Sequence, residues 1–217
     1  MGHESAIGAL VDALTDPSRE VRSAAARSLG ALGAVAGVAP LVTALATGSV
    51  PRAVAGGALL AIGADAVPPL LDLANSQDDR VGASAIELLG LLGDAHDARQ
   101  FSHRLRDAAA EVRAKTARAL GRLGAAQASE DLRAALADRI PDVRAAAAIA
   151  LGEIGDRAAV VPLWQQARAD RYEPARSAAR ALAAIDPSLL HDAVPGDLLG
   201  QHLAEAADLS AVGLIER

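Results

Sequence analysis

Apolar residues recur along this chain at intervals of three and four, and the pattern restarts about every 31 residues. In "VRSAAARSLGALG", Val21 to Gly33, the residues Val21, Ala24, Ala25, Ser28, Leu29 and Leu32 fall on one face of an α-helix. Nearly the same string returns as "VRAKTARALGRLG" at Val112 to Gly124 and as "VRAAAAIALGEIG" at Val143 to Gly155. The endings "GALG", "LAIG", "GLLG", "GRLG", "GEIG" and "AAID" align Gly33, Gly63, Gly93, Gly124, Gly155 and Asp186, with spacings of 30, 30, 31, 31 and 31. Twelve residues before each end stand Val21, Pro51, Val81, Val112, Val143 and Pro174, followed by Arg22, Arg52, Gly82, Arg113, Arg144 and Ala175. The register survives where residue identity does not.

Each unit reads as two helices. The first segments are "AIGALVDAL", "GVAPLVTAL", "AVPPLLDLA", "DARQFSHRL", "ASEDLRAAL" and "AVVPLWQQA", which align Leu10, Leu41, Leu70, Phe101, Leu132 and Leu163. Prolines at 40, 69 and 162 suit a first helical turn. Glu20, Glu111, Asp142 and Glu173 precede second segments, where the helix dipole favours negative charge. The closing glycines Gly33, Gly63, Gly93, Gly124 and Gly155 predict left-handed helix ends. Neither helix of a unit can bury its apolar face alone, but stacked neighbours can, which predicts an all-α solenoid of twelve paired helices. The repeats span residues 6–33, 36–63, 66–93, 96–124, 127–155 and 158–186. Residues 1–5 read as a leader. Residues 187–217 read as a C-terminal helical cap with a tail, Leu198, Leu199, Leu203 and Ala206 forming its apolar face.

The stretches "LTDPSREVRSAAARSLGALG" and "LADRIPDVRAAAAIALGEIG" resemble the short HEAT-like repeats of the phycobilisome-lyase type. The resemblance covers roughly residues 6 to 186, most clearly copies one, four and five. It implies a right-handed α-α superhelix, with first helices on the convex side and second helices on the concave side. It also implies a ladder in which Asp16, Asp107 and Asp138 with Arg22, Arg52, Arg113 and Arg144 tie neighbouring copies together. Copy two has Thr47 and copy three Asn75 in the Asp place, and copy three has Gly82 in the Arg place.

Composition narrows the chemistry. The chain is 52% hydrophobic with 55 alanines, while its aromatic residues are Phe101, Trp164 and Tyr172 alone, so close helix packing must fill the core. With no cysteine, disulfides, thiolate metal sites and cysteine nucleophiles are excluded. No apolar run reaches membrane-spanning length, and a cytoplasmic, monomeric protein without membrane partners is expected. His96 and His103 lie seven apart, whereas metal-binding histidines on one helix favour four; no phosphate loop, nucleophile elbow or carboxylate pair is found. No catalytic residue, metal or cofactor is assigned. Trp164 is expected to pack on the convex side.

Charge is segregated by helix type. The six second-helix windows hold eleven Lys or Arg against six Asp or Glu, whereas the whole chain has a net charge of -6. Some of those arginines belong to the ladder and are neutralised there. Counting from the Val position, the positions expected to line the concave floor include Arg27, Gly56, Gly57, Leu60, Ile86, Glu87, Arg118, Ile149, Arg176 and Arg180. Such a floor suits another protein, in particular an acidic segment in a scaffold role without catalysis. The alternative is an enzyme or accessory subunit of the bilin-lyase type acting on a small molecule. Nucleic-acid binding is disfavoured by the acidic balance and the missing aromatic cleft.

Overall fold

The computed structural model describes residues 2–190. The predicted C-terminal cap lies, beyond residue 190, outside the described residues. The chain forms two compact units that divide between Phe101 and Ser102.

In the first unit, α1 (Gly2–Ala13) pairs with α2 (Arg19–Ala31), α3 (Val38–Thr47) with α4 (Arg52–Ile62), and α5 (Val67–Ala74) with α6 (Asp79–Leu92). α1 begins inside the segment read as a leader. The second unit holds α7 (Ala110–Arg122), α8 (Ser129–Ala135), α9 (Pro141–Ile154), α10 (Val160–Ala169) and α11 (Glu173–Ile185), with α8 on α9 and α10 on α11. Local chemistry places the ends. The Ser18 hydroxyl accepts from the Val21 N–H at 3.4 Å to cap α2, and Asp78 Oδ1 accepts from Arg80 and Val81 to cap α6. Pro40, Pro69 and Pro162 stand in first turns, where a missing N–H costs nothing. Leu41, Leu70, Phe101, Leu132 and Leu163 are fully buried, and Leu10 is half-buried.

Second helices of consecutive copies pack on one another through small residues. A Cβ built on Gly30 of α2 would stand 2.7 Å from the Ala58 Cα of α4. One on Gly121 of α7 would stand 2.6 Å from Ala150 Cα of α9, and one on Gly152 would stand 2.8 Å from Ala181 Cα of α11. These three contacts repeat a single geometry, a glycine nine residues past the Val position meeting an alanine seven past it in the next copy. Copies two and three carry Leu60 and Leu88 at those places, and the bulk moves: a Cβ on Gly56 would meet Leu88 Cδ2 at 3.3 Å.

That packing rotates the buried stripe from the one the periodicity predicts. In α2, Ser23, Ala25, Ala26, Leu29 and Gly30 are buried, while Ala24 is exposed and Val21 and Leu32 are 40% and 45% exposed. The α2 helix is covered on two sides, by α1 and by α4. Val143, whose helix α9 also packs on the preceding second helix α7, is fully buried.

Two further expectations are corrected. The first segment of copy four forms short 3-10 turns, Asp97–Gln100 and Ser102–Arg106, so the described residues hold eleven α-helices. Asp94 Oδ1 accepts from the N–H groups of His96 (2.7 Å) and Asp97 (3.0 Å), and Asp97 Oδ2 accepts from Asp94 N–H (3.1 Å); these local bonds compete with helix. Gly33, Gly63, Gly124 and Gly155 have positive φ as expected, but Gly93 has φ -81°. Space selects glycine there, since a Cβ would stand 3.0 Å from Leu89 O and 3.1 Å from Asp97 Oδ2.

Two glycine-to-alanine substitutions should act with opposite signs on the urea midpoint. Gly152→Ala should destabilise by about 1–3 kcal/mol through overpacking against Ala181. Gly57→Ala, with nothing near its Cβ, should stabilise by about 0.5–1 kcal/mol through helix propensity. A raised midpoint for Gly152→Ala would contradict the close α9–α11 contact.

Candidate functional site

Arginines on the second helices divide into those spent on structure and those left in water. Arg113, on α7, donates from Nε and Nη2 to both oxygens of Asp138 at 2.7 and 2.9 Å, and from Nη1 to the carbonyls of Asp107 and Ala108, 2.9 Å each. The Asp138 carboxylate also accepts from the Ile140 N–H at 2.8 Å, just ahead of α9. One copy later Arg144 repeats the arrangement on Asp170, Nε to Oδ2 at 2.7 Å, with its Nη1 on the Asp138 carbonyl. The hydrogen bonds and charge of Arg113 outweigh burial and hold the Asp138 carboxyl below its ordinary value; Asp138 in turn raises Arg113.

The ladder is real where Arg and Asp meet and improvised elsewhere. Arg22 reaches the Ser49 carbonyl at 2.7 Å instead of a carboxylate, and its Nη1 takes the carbonyls of Asp16 and Pro17. Asp16 ties no described neighbour: its carboxylate accepts from the Ser18 N–H. Arg52 is exposed and forms no salt bridge with a described residue; copy three offers Asn75, whose amide donates to the Leu71 carbonyl. Asp107 pairs with the buried Arg104 at 2.8 Å. The sequence reading missed Asp170 because it stands four residues before Pro174, whereas Asp16, Asp107 and Asp138 stand five before Val21, Val112 and Val143. It also missed two outer pairs, Arg106 with Asp131 and Arg133 with Asp156, at 2.6 and 2.5 Å.

Of the positions expected to line the floor, Arg27, Gly57, Glu87, Arg118, Arg176 and Arg180 are exposed, and Leu60 and Ile149 are half-buried. Gly56 and Ile86 are buried, which corrects their assignment: five residues past the Val position a side chain points into the stack. Only a narrow ridge of each second helix meets water. Its six-past position was named from the sequence; the ten-past position, which adds Leu91, Arg122 and Glu153, was missed although it follows by one helical turn. Arg118, Arg122 and Arg180 make no hydrogen bond or salt bridge with a described residue. Glu153 lies over Gly121 of α7, and burial lifts its carboxyl above the ordinary value against the opposing charge of Arg122.

Shallow hollows flank the ridges. In the second unit one of about 210 Å³ is lined by Ala114, Lys115, Arg118, Ile140 and Asp142. In the first unit one of about 260 Å³ lies between α2 and α4, lined by Arg27, Ala31, Ala53, Gly57 and Ala61. Among the described residues no three His, Asp or Glu side chains gather as metal ligands, and His96 and His103 are exposed. Trp164 is half-buried on α10. No described helix is long and apolar enough to cross a membrane.

The pattern described for HEAT repeats matches residues 1–62 and 98–183, more than half of the chain. The chain belongs to the HEAT-repeat family. The unmatched stretch contains copy three, which lacks the ladder arginine. Solved structures similar to this HEAT-repeat chain include the complex of CpcE and CpcF of phycocyanin lyase from Nostoc sp. PCC7120, at 20% identity and a TM-score of 0.57, covering 94% of each chain. A designed armadillo repeat protein in complex with the peptide (KR)4 is similar at 18% identity and a TM-score of 0.57, over 83% of this chain and 99% of that one. An engineered protein matches at 23% identity and a TM-score of 0.57, over 83% and 96%. These likenesses establish the all-α repeat solenoid. No curated protein matches the chain in sequence.

Ladder strength can be read from its pH dependence. Because the folded carboxyl of Asp138 titrates below its unfolded value, its contribution is complete above about pH 4 and is lost as pH falls through the folded value. Asp138→Asn should lower stability by roughly 1.5–3 kcal/mol at pH 7. The gap to the parent in urea melts should narrow as pH falls and close once the folded carboxyl is protonated, below the ordinary Asp value. A gap that persists unchanged at that pH would show that Asp138 acts by something other than charge.

Proposed function

We propose that this HEAT-repeat protein is a non-catalytic scaffold that holds an acidic segment of a partner protein along its second-helix ridges. The observation that carries the reading is the division among arginines. Arg113 and Arg144 are paired and largely buried, whereas Arg118 and Arg180 stand on the ridges with no hydrogen bond or salt bridge to a described residue. Exposed guanidinium groups beside small residues let a peptide backbone approach while its carboxylates are met bidentately. A designed protein of the same fold class is seen with the basic peptide (KR)4; the arginines on the ridges here call for a peptide of the opposite, acidic charge.

A second reading is kept by the similarity to the CpcE–CpcF complex over nearly the whole of both chains: an accessory subunit handling a pigment-like small molecule. Purified protein carrying a visible absorbance band from its native source would favour it over the scaffold.

The scaffold reading is tested with a fluorescent octaglutamate peptide and the double variant Arg118→Glu/Arg180→Glu. Helicity and thermal midpoint should stay nearly unchanged, as exposed substitutions usually leave them. Peptide affinity should fall at least tenfold at low salt and by less at high salt, where the contacts are screened. Reversing the exposed Asp12 and Asp72 of α1 and α5 is the control. If the control pair abolishes binding and the arginine pair does not, the ridges are not the working surface.

A further inference from the structure

Three rings occur in the chain, and the structure treats them differently. Phe101 is fully buried, Trp164 is half-buried, and Tyr172 is 81% exposed. Tyr172 is also the one non-glycine residue with positive φ among the described residues, at φ 58° and ψ -130°. The corresponding residues of the other copies, Arg19, Ser49, Asp79, Ala110 and Pro141, all have negative φ. A bulky side chain is disfavoured in that region, which glycine enters freely. Neither burial nor backbone comfort accounts for an aromatic side chain here, and the Tyr172 side chain makes no hydrogen bond or ring contact with a described residue.

Its position is specific. The Tyr172 carbonyl accepts from the Arg176 N–H at 3.1 Å, so Tyr172, Arg176 and Arg180, four residues apart, continue one exposed line along α11. Around it Arg168, Arg171, Arg176 and Arg180 outnumber Asp170 and Glu173, and Asp170 is committed to Arg144. A ring standing in water at the head of a row of guanidinium groups offers an apolar contact next to charge, the combination found at the energetic centre of protein interfaces. We infer that Tyr172 is the apolar anchor of the α11 ridge, taking an aliphatic side chain of an acidic segment whose carboxylates reach Arg180. This rests on the scaffold reading above and adds to it a hydrophobic requirement in the partner.

Because the chain has a single tyrosine, ring-labelled [13C]tyrosine reports on this residue alone. Two probes are used, a nonapeptide of glutamates with a central leucine and the all-glutamate nonapeptide. The leucine peptide should shift the tyrosine ring resonances and bind about tenfold tighter than the all-glutamate one. Tyr172→Ala should erase that tenfold difference, and Tyr172→Phe should keep it. Tyr172→Gly should raise the thermal midpoint by relieving the backbone while losing the leucine preference, two readouts that move in opposite directions. If both peptides bind but the ring resonances stay still and Tyr172→Ala binds like the parent, the anchor is wrong and the scaffold reading stands. Equal weakening of both peptides by Tyr172→Ala also overturns the anchor. Failure of the parent to bind either peptide overturns both.

Discussion

Close approach of consecutive second helices is the constraint on which each unit of this protein depends. Gly30 against Ala58, Gly121 against Ala150 and Gly152 against Ala181 let two backbones meet where any larger side chain would separate them. At that distance dispersion acts between backbone atoms themselves, and a core made of alanine and leucine becomes dense without aromatic filling. The abundance of alanine is thus the material of a narrow interhelical gap. Where the chain uses Leu60 and Leu88 instead, Gly56 takes up the excess, so the gap is kept by moving the small residue.

The same closeness decides what the second helices can present. Inside a unit, α2 and α9 are each wrapped by their own first helix and by their successor, and what remains for solvent is a ridge one residue wide per turn. Side chains that reach beyond such a ridge must be long, which is why arginine carries most of its chemistry. Nearby, the ladder arginines run inward and are consumed by carboxylates and carbonyl oxygens. One residue type, one turn apart, serves cohesion in one row and recognition in the next.

The fold was legible because repetition reports on packing: the register of six copies, the proline positions and four of five left-handed glycines follow from the string alone. The orientation of the buried stripe was not, because periodicity finds an apolar face but treats alanine and glycine as neutral. Ala26 and Gly152 carry contacts that no hydropathy pattern marks. Copy four lost its first helix to Asp94 and Asp97, whose preference for nearby amides is local and easily outvoted by an apparent repeat. At the site, exposure of Arg118 and Arg180 could be read from spacing, whereas the conformation of Tyr172 had no signal in the sequence, since a tyrosine before Glu-Pro predicts nothing unusual.

Copy five holds both a forward-reaching donor, Arg144, and a backward-facing acceptor, Asp138. Such a unit is complete in the way a link of chain is complete, and a copy of the Arg113–Asp138 kind spliced into the row finds its bonds already provided for. Length is therefore the least costly property of this architecture to alter by duplication. Asp16, turned onto the amide of Ser18, shows how a link closes on itself when no arginine reaches it.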